Sequence, residues 1–219
     1  ISPGNIVATK ILANSQLKSG DIQGGLKTLE THIAKYPPDT ELLALAGDAY
    51  LRAGNQSKAK DYLDRAAKLA PQNVSIKTRQ AAANLAAGDN NQALFDLEAA
   101  VNLSSKPSQA DLALVMLHMK SKEYDKALQA IANLEKKLPN NPITYNLKAA
   151  ALLGKQDRIG ARSAFEQALA IDTKFLPAAI NLAQMDIQDK KPDAARKRIE
   201  VVLEKDKNNV RAMMALADI

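Results

Sequence analysis

Side chains able to serve as nucleophile, base or metal ligand are few in this chain and poorly placed to work together. The 219 residues contain no Cys and two His, His32 and His118. Without Cys there is no thiol nucleophile, thiolate metal site or disulfide within these residues. Neither His has a second His or a Cys at ligand spacing, so neither reads as a metal ligand: His32 reads as a packed or half-buried side chain, and His118 is expected near the inner face. The carboxylates are scattered and interleaved with Lys, as around Glu166 and Lys136-Lys137. That pattern predicts solvated charge on helix surfaces instead of an acid–base pair. A Gly-rich phosphate loop, a nucleophile elbow and a zinc spacing are all missing. The sequence therefore predicts no catalytic residue, no metal ligand and no cofactor: a protein that is not an enzyme.

Charge and composition narrow the partners. The formal charge is +6 at pH 7, with 25% charged and 46% hydrophobic residues, the balance of an ordinary globular chain. Such a charge favours acidic partners and speeds association without bearing on fold. Only 4% of residues are aromatic and none is Trp. Single-strand nucleic-acid readers interleave a basic track with stacking aromatics, and here Tyr50 and Phe165 fall at core positions, so no nucleic-acid partner is expected. No apolar run is long enough to cross a bilayer, and the first residues lack the regions of a signal peptide.

The elements that position these side chains follow from one stretch, Thr40 to Pro71, which reads as two amphipathic helices joined at Gly54-Asn55 and stopped by Pro71. Shifted by 34 residues, a small position in the second helix falls on Gly25, Ala59, Ala93, Ala127, Ala161 and Ala195. A bulky one follows four residues later at Leu29, Leu63, Leu97, Ile131, Phe165 and Ile199. In the first helix, a small position falls on Ala13, Gly47, Ala81, Val115, Ala149, Ala183 and Ala217. The turn recurs at Gly20-Asp21, Gly54-Asn55 and Gly88-Asp89, then drifts to Lys122-Glu123, Gln156-Asp157 and Lys190-Lys191. Six repeats result, starting at Ile6, Thr40, Val74, Ser108, Pro142 and Leu176, with one helix of a seventh from Val210.

A gapless 34-residue helix-turn-helix period with this small/bulky pattern resembles the tetratricopeptide repeat family over nearly the whole chain. The resemblance implies an all-α fold, a right-handed α-solenoid in which each hairpin touches its neighbours and a continuous apolar seam is buried between them. Residues 1–219 then form a single array.

Along the chain, Ile1 to Asn5 is expected to fray. Gly24-Gly25 lies inside a helix, which should make the first repeat the loosest, since each Gly costs about 1 kcal/mol relative to Ala. Ser108 and Asp111 read as a cap and a first-turn acid for the fourth repeat. Asn141-Pro142 reads as an N-cap with proline at the first helical position, and Pro192 repeats that role. Met213, Met214 and Leu216 have no following helix to cover them, so the chain reads as a segment of a longer array.

In this family first helices line the concave face, at repeat positions 2, 5, 6, 9, 12 and 13. In the first half these give Lys10, Asn14, Asp48, Arg52 and Arg79 among Ile11, Leu45 and Leu51. In the second half they give Leu112, Met116, Met119, Ile143, Asn146, Leu147, Ile180, Asn181 and Gln184. The second set is an apolar strip flanked by amides, suited to an extended peptide or an amphipathic helix. The competing reading is that some of these side chains pack between adjacent first helices. A family subtype grips acidic C-terminal tails with a carboxylate clamp; Lys10, Asn14 and Arg79 match its pattern, but Leu45 and Ser75 do not.

The phrases NLAQMDIQDKKPDAARKRIEVVLEKD and NVRAMMALADI, within Asn141 to Ile219, resemble the tetratricopeptide lipoproteins of the PEP-CTERM/exosortase system of exopolysaccharide-secreting Gram-negative bacteria. That resemblance implies a periplasm-facing outer-membrane lipoprotein, held by a lipid anchor outside these residues, in protein sorting or polysaccharide export. Two partner classes follow: a protein or peptide in the groove, or exported polysaccharide itself. The scarcity of aromatic platforms favours the protein.

Overall fold

The structure, a computed structural model, describes residues 5–219. The fraying expected at the Ser-Pro-Gly start concerns residues outside that range. Asn5, expected to fray with that start, is instead the N-cap of the first helix and accepts the Ala8 N–H at 3.0 Å.

Among the described residues the chain is all helix, with thirteen helices and no strand. First helices are α1 (Ile6–Lys18), α3 (Thr40–Arg52), α5 (Val74–Ala86), α7 (Gln109–Lys120), α9 (Pro142–Gly154), α11 (Leu176–Gln188) and α13 (Val210–Ala217). Second helices are α2 (Ile22–Lys35), α4 (Gln56–Leu69), α6 (Asn90–Leu103), α8 (Tyr124–Lys137), α10 (Arg158–Ile171) and α12 (Pro192–Lys205). Every first helix begins where the 34-residue period sets it, save α7, which starts one residue late. Ser108 stays outside that helix, next to Pro107, where a hydroxyl residue is favoured.

Each hairpin turn closes in one way. The residue after the αR cap takes positive φ, and the next N–H reaches back to a carbonyl five residues earlier, as Asn55 N to Tyr50 O at 2.9 Å. Gly20, Gly54 and Gly88 supply that φ without strain in the first three repeats. Lys122 (φ 58°), Gln156 (φ 65°) and Lys190 (φ 60°) adopt it despite their Cβ atoms. Second helices are then capped by the side chains of Asp21, Asn55, Asp89 and Asp157. Pro142 and Pro192 occupy first helical positions, and Asn141 caps α9.

The small and bulky positions make the core. Every second-helix small position is buried, and Leu29, Leu63, Leu97, Ile131, Phe165 and Ile199 are each at most 1% exposed. The close approach is real at Gly47: a Cβ there would lie 2.5 Å from Leu63 Cγ.

The helices group into two compact units, Ile1–Ala110 and Asp111–Ile219. In the first, α1, α2 and α3 share a core around Leu29, Leu42 and Tyr50, and α3, α4 and α5 share another around Leu63 and Ile76. In the second, three cores overlap: Val115, Ile131 and Ala151 join α7, α8 and α9; Ala149, Phe165 and Leu182 join α9, α10 and α11; Ala179, Ile199 and Ala212 join α11, α12 and α13.

Candidate functional site

The expected groove residues of the second unit lie on one phase of each first helix. On α7 they are Leu112, Met116 and Met119; on α9, Ile143, Asn146 and Leu147; on α11, Ile180, Asn181 and Gln184. Steps of three and four residues bring side chains onto one helix face. Leu112, Met116 and Ile143 are 41%, 58% and 45% exposed, and Gln184 is exposed too. Met119 and Leu147 are half-buried against the α7–α9 core, and Ile180 against the α11–α13 core, so these three serve packing as well as surface. Asn181 donates to Pro177 O at 2.9 Å. Asn146 Oδ1 is buried with no hydrogen-bond partner.

The same phase carries Leu153 and Ile187 at repeat position 12, both exposed and both additional to the expected set. None of these side chains is charged. A cavity of about 360 Å³ flanks the last turn of α11, lined by Ile180, Gln184, Ile187, Ile199, Ala215 and Ile219.

The first unit is different. Lys10 is paired with Asp39 at 3.1 Å and Glu41 at 2.6 Å, and the hydrogen bond to Glu41 raises its ammonium pKa despite partial burial. Arg79 lies 3.4 Å from Asp48, whose carboxyl burial pushes up, only partly offset by Arg79 and Arg52. Arg52 donates to Leu17 O. Asn14 is half-buried on α1, and Leu45, expected on the inner face, is 8% exposed and part of the core. The cations of the candidate clamp are thus already neutralised by the protein's own acids.

The scattered carboxylates need correction. Glu166 is exposed as expected, with a loose 3.8 Å contact to Arg198, but Asp96, Asp111 and Asp186 are 2–3% exposed. Lys137, read as solvated, is largely buried and bonds Asp111 at 2.8 Å. Burial of a carboxylate is costly unless it is paired or hydrogen-bonded: Asp111 and Asp186 are ion-paired, and Asp96 is hydrogen-bonded by amides. Asp186 receives Arg162 at 2.6 Å and Arg198 at 2.5 Å. Asp96 receives Asn84 at 2.8 Å. The partners sit on other helices, so their sequence spacing gave no signal.

The histidines are structural. His32 is buried, lies tilted against the Tyr36 ring at 4.6 Å and shares a 3.0 Å hydrogen bond with Thr9. His118 is buried and its Nδ1 lies 2.8 Å from Glu123. Glu123 stands at an N-cap position but turns to Lys126 and His118, which hold its carboxyl below the ordinary range. In the first unit a polar cavity of about 470 Å³ contains Glu30, Tyr50 and Lys58. There Lys58 donates to Tyr50 and Tyr50 to Glu30, a set that satisfies itself.

Comparison with known proteins agrees with this architecture. Family models described as tetratricopeptide repeat match residues 12–74, 84–151 and 152–219. The C-terminal part of a TPR repeat-containing protein from Cytophaga hutchinsonii has a similar structure, with a TM-score of 0.76 and 16% identity over 98% of this chain and 89% of that one. YrrB, described as a TPR protein with an unusual peptide-binding site, gives a TM-score of 0.60 and 18% identity over 76% of this chain and 86% of that one. At such identities the likeness is one of fold. The protein CTR9 homolog of Arabidopsis thaliana is 28% identical over 123 residues, 54% of this chain; the chain spans about a tenth of that relative's length (11%). With the hairpin register and the matched models in agreement, the chain belongs to the tetratricopeptide repeat family.

Proposed function

We propose that the chain is a non-enzymatic protein-interaction scaffold, holding a peptide or a partner helix against the first-helix face of its second unit. The observation that carries this reading is the exposure of Leu112, Met116 and Ile143 on one phase of α7 and α9, where Lys120 at the end of α7 is the charged side chain beside them. Apolar side chains clustered on an exposed surface are a feature of binding sites, and Met adapts to irregular partners. The peptide-binding site ascribed to YrrB supports the reading by analogy of fold. The resemblance of the last repeats to PEP-CTERM-system lipoproteins further suggests protein sorting or exopolysaccharide export at a bacterial envelope, with the chain facing the periplasm and held by a lipid anchor outside these residues.

A pull-down from a Gram-negative envelope extract tests it. Wild type is compared with Leu112→Asp/Met116→Asp, both at exposed sites. The reading predicts a protease-sensitive partner retained by wild type and lost by the variant. Capture that survives protease and is removed by a glycosidase would move the assignment to polysaccharide, and equal capture by both proteins would overturn the groove.

A further inference from the structure

All six hairpins share the small/bulky contact, so that contact cannot tell one hairpin from another. A stack of near-equivalent units needs something more to fix its order. Counting positions from the start of each 34-residue repeat, the repeat sets position 11 of the first helix beside position 23 of its own second helix and position 21 of the preceding one, as Asn84 beside Asp96 and Lys60. Four such triads lie wholly within one unit or the other.

Their chemistry is matched within each triad and differs between them. The first is Leu26, Tyr50 and Tyr62, in one core with the two rings stacked at 5.5 Å and 14°. The second is Lys60, Asn84 and Asp96: Lys60 donates to Asn84 Oδ1 at 3.0 Å, and Asn84 donates to Asp96 at 2.8 Å. Next come Leu128, Leu152 and Ala164, all apolar, with Leu152 and Ala164 in one core. The last is Arg162, Asp186 and Arg198, joined by the short ion pairs described above. The two polar triads recur three repeats apart.

We infer that in these four hairpins position 11 is a stacking address: its polarity is matched to position 21 of the hairpin before it and position 23 of its own, so that each of the four favours its own predecessor over the others. Docking the Asn84 hairpin on Leu26 would cost a buried amide oxygen its Lys60 donor, and docking the Asp186 hairpin on Leu128 would cost a buried carboxylate one of its two arginines, each an unfavourable mismatch in a core. Docking Leu152 on Arg162 would strand a guanidinium. The address discriminates order while the common small/bulky contact supplies the adhesion.

The test exchanges addresses in the full chain without changing its composition. Asn84→Leu with Leu152→Asn mismatches two triads. Urea unfolding is expected to show a midpoint lowered by about 1 M or more, and amide exchange should quicken in α4–α6 and α8–α10. Moving the whole triads, K60L/N84L/D96A together with L128K/L152N/A164D, should recover more than half of that loss. A two-residue exchange that leaves the midpoint unmoved overturns the inference, as does a six-residue exchange no more stable than the two-residue one. If the two-residue protein does not fold, a folded six-residue protein supports the address and an unfolded one refutes it.

Discussion

Asp186 is 2% exposed, and its burial alone would push the carboxyl pKa up. Hydrogen bonds and charge from Arg198 and Arg162 outweigh that and hold it below the ordinary range. A carboxyl whose pKa is lower folded than unfolded stabilises above its unfolded pKa, about 3.9, and that stability drains away as pH falls through the folded value. The pair should thus count fully at pH 7 and weaken in acid below about pH 4. Asp186→Asn leaves two arginines facing a neutral amide. Both are partly solvated, so the cost belongs at the low end for a broken buried pair, about 3 kcal/mol at neutral pH. Urea titrations at pH 7 and pH 3 should show wild type and variant converging in acid; a gap that stays constant would contradict the assignment. Leu97, 1% exposed, tests the packing: Leu97→Ala should cost about 2–5 kcal/mol in chemical denaturation, and a change under about 1 kcal/mol would refute the register. Lys122 tests the turn. At φ 58° its Cβ is strained, so Lys122→Gly should raise stability by up to about 1 kcal/mol, whereas the same change at a helical lysine such as Lys136 should lower it by a similar amount.

At the scale of the helix, exposure separates binding residues from packing residues on the same face. Leu112→Asp should change stability by no more than about 0.5 kcal/mol. Leu147→Asp, half-buried against the α7–α9 core, should cost clearly more, and thermal melts of the two variants would show the ordering. The helices themselves were legible because a hairpin's signals are local: Gly54, Asn55 and Pro71 mark its boundaries, and Ala59 and Leu63 mark its inner face within a few residues. The face of α7 was legible for the same reason, from Leu112, Met116 and Met119 at steps of four and three. The ion pairs were not. Asp186 depends on Arg162, 24 residues earlier on another helix, and Lys137 on Asp111, 26 residues earlier; neither spacing lies on one helix face, and the first pair is joined only by stacking of hairpins, the second only by closure of one. Asn146 likewise reads as a surface amide until packing covers its oxygen.

For the molecule as a whole, the matched models and the register of the hairpins fix the family, and the distribution of charge divides its two units. On the first-helix face of the first unit, Lys10 and Arg79 are committed to the protein's own acids. On that of the second, apolar and amide side chains predominate, with Lys120 a lone charge at the end of α7. A scaffold so built should hold its partner through the second unit, and the most direct measurement is site-specific photo-crosslinking. A photoreactive residue placed at Met116 on α7 is compared with one at Ile159, which is 86% exposed on second helix α10. In envelope extract, Met116 should give a discrete protein adduct and Ile159 none. Adducts from Ile159 alone, or equal adducts from both, would contradict binding on the first-helix face.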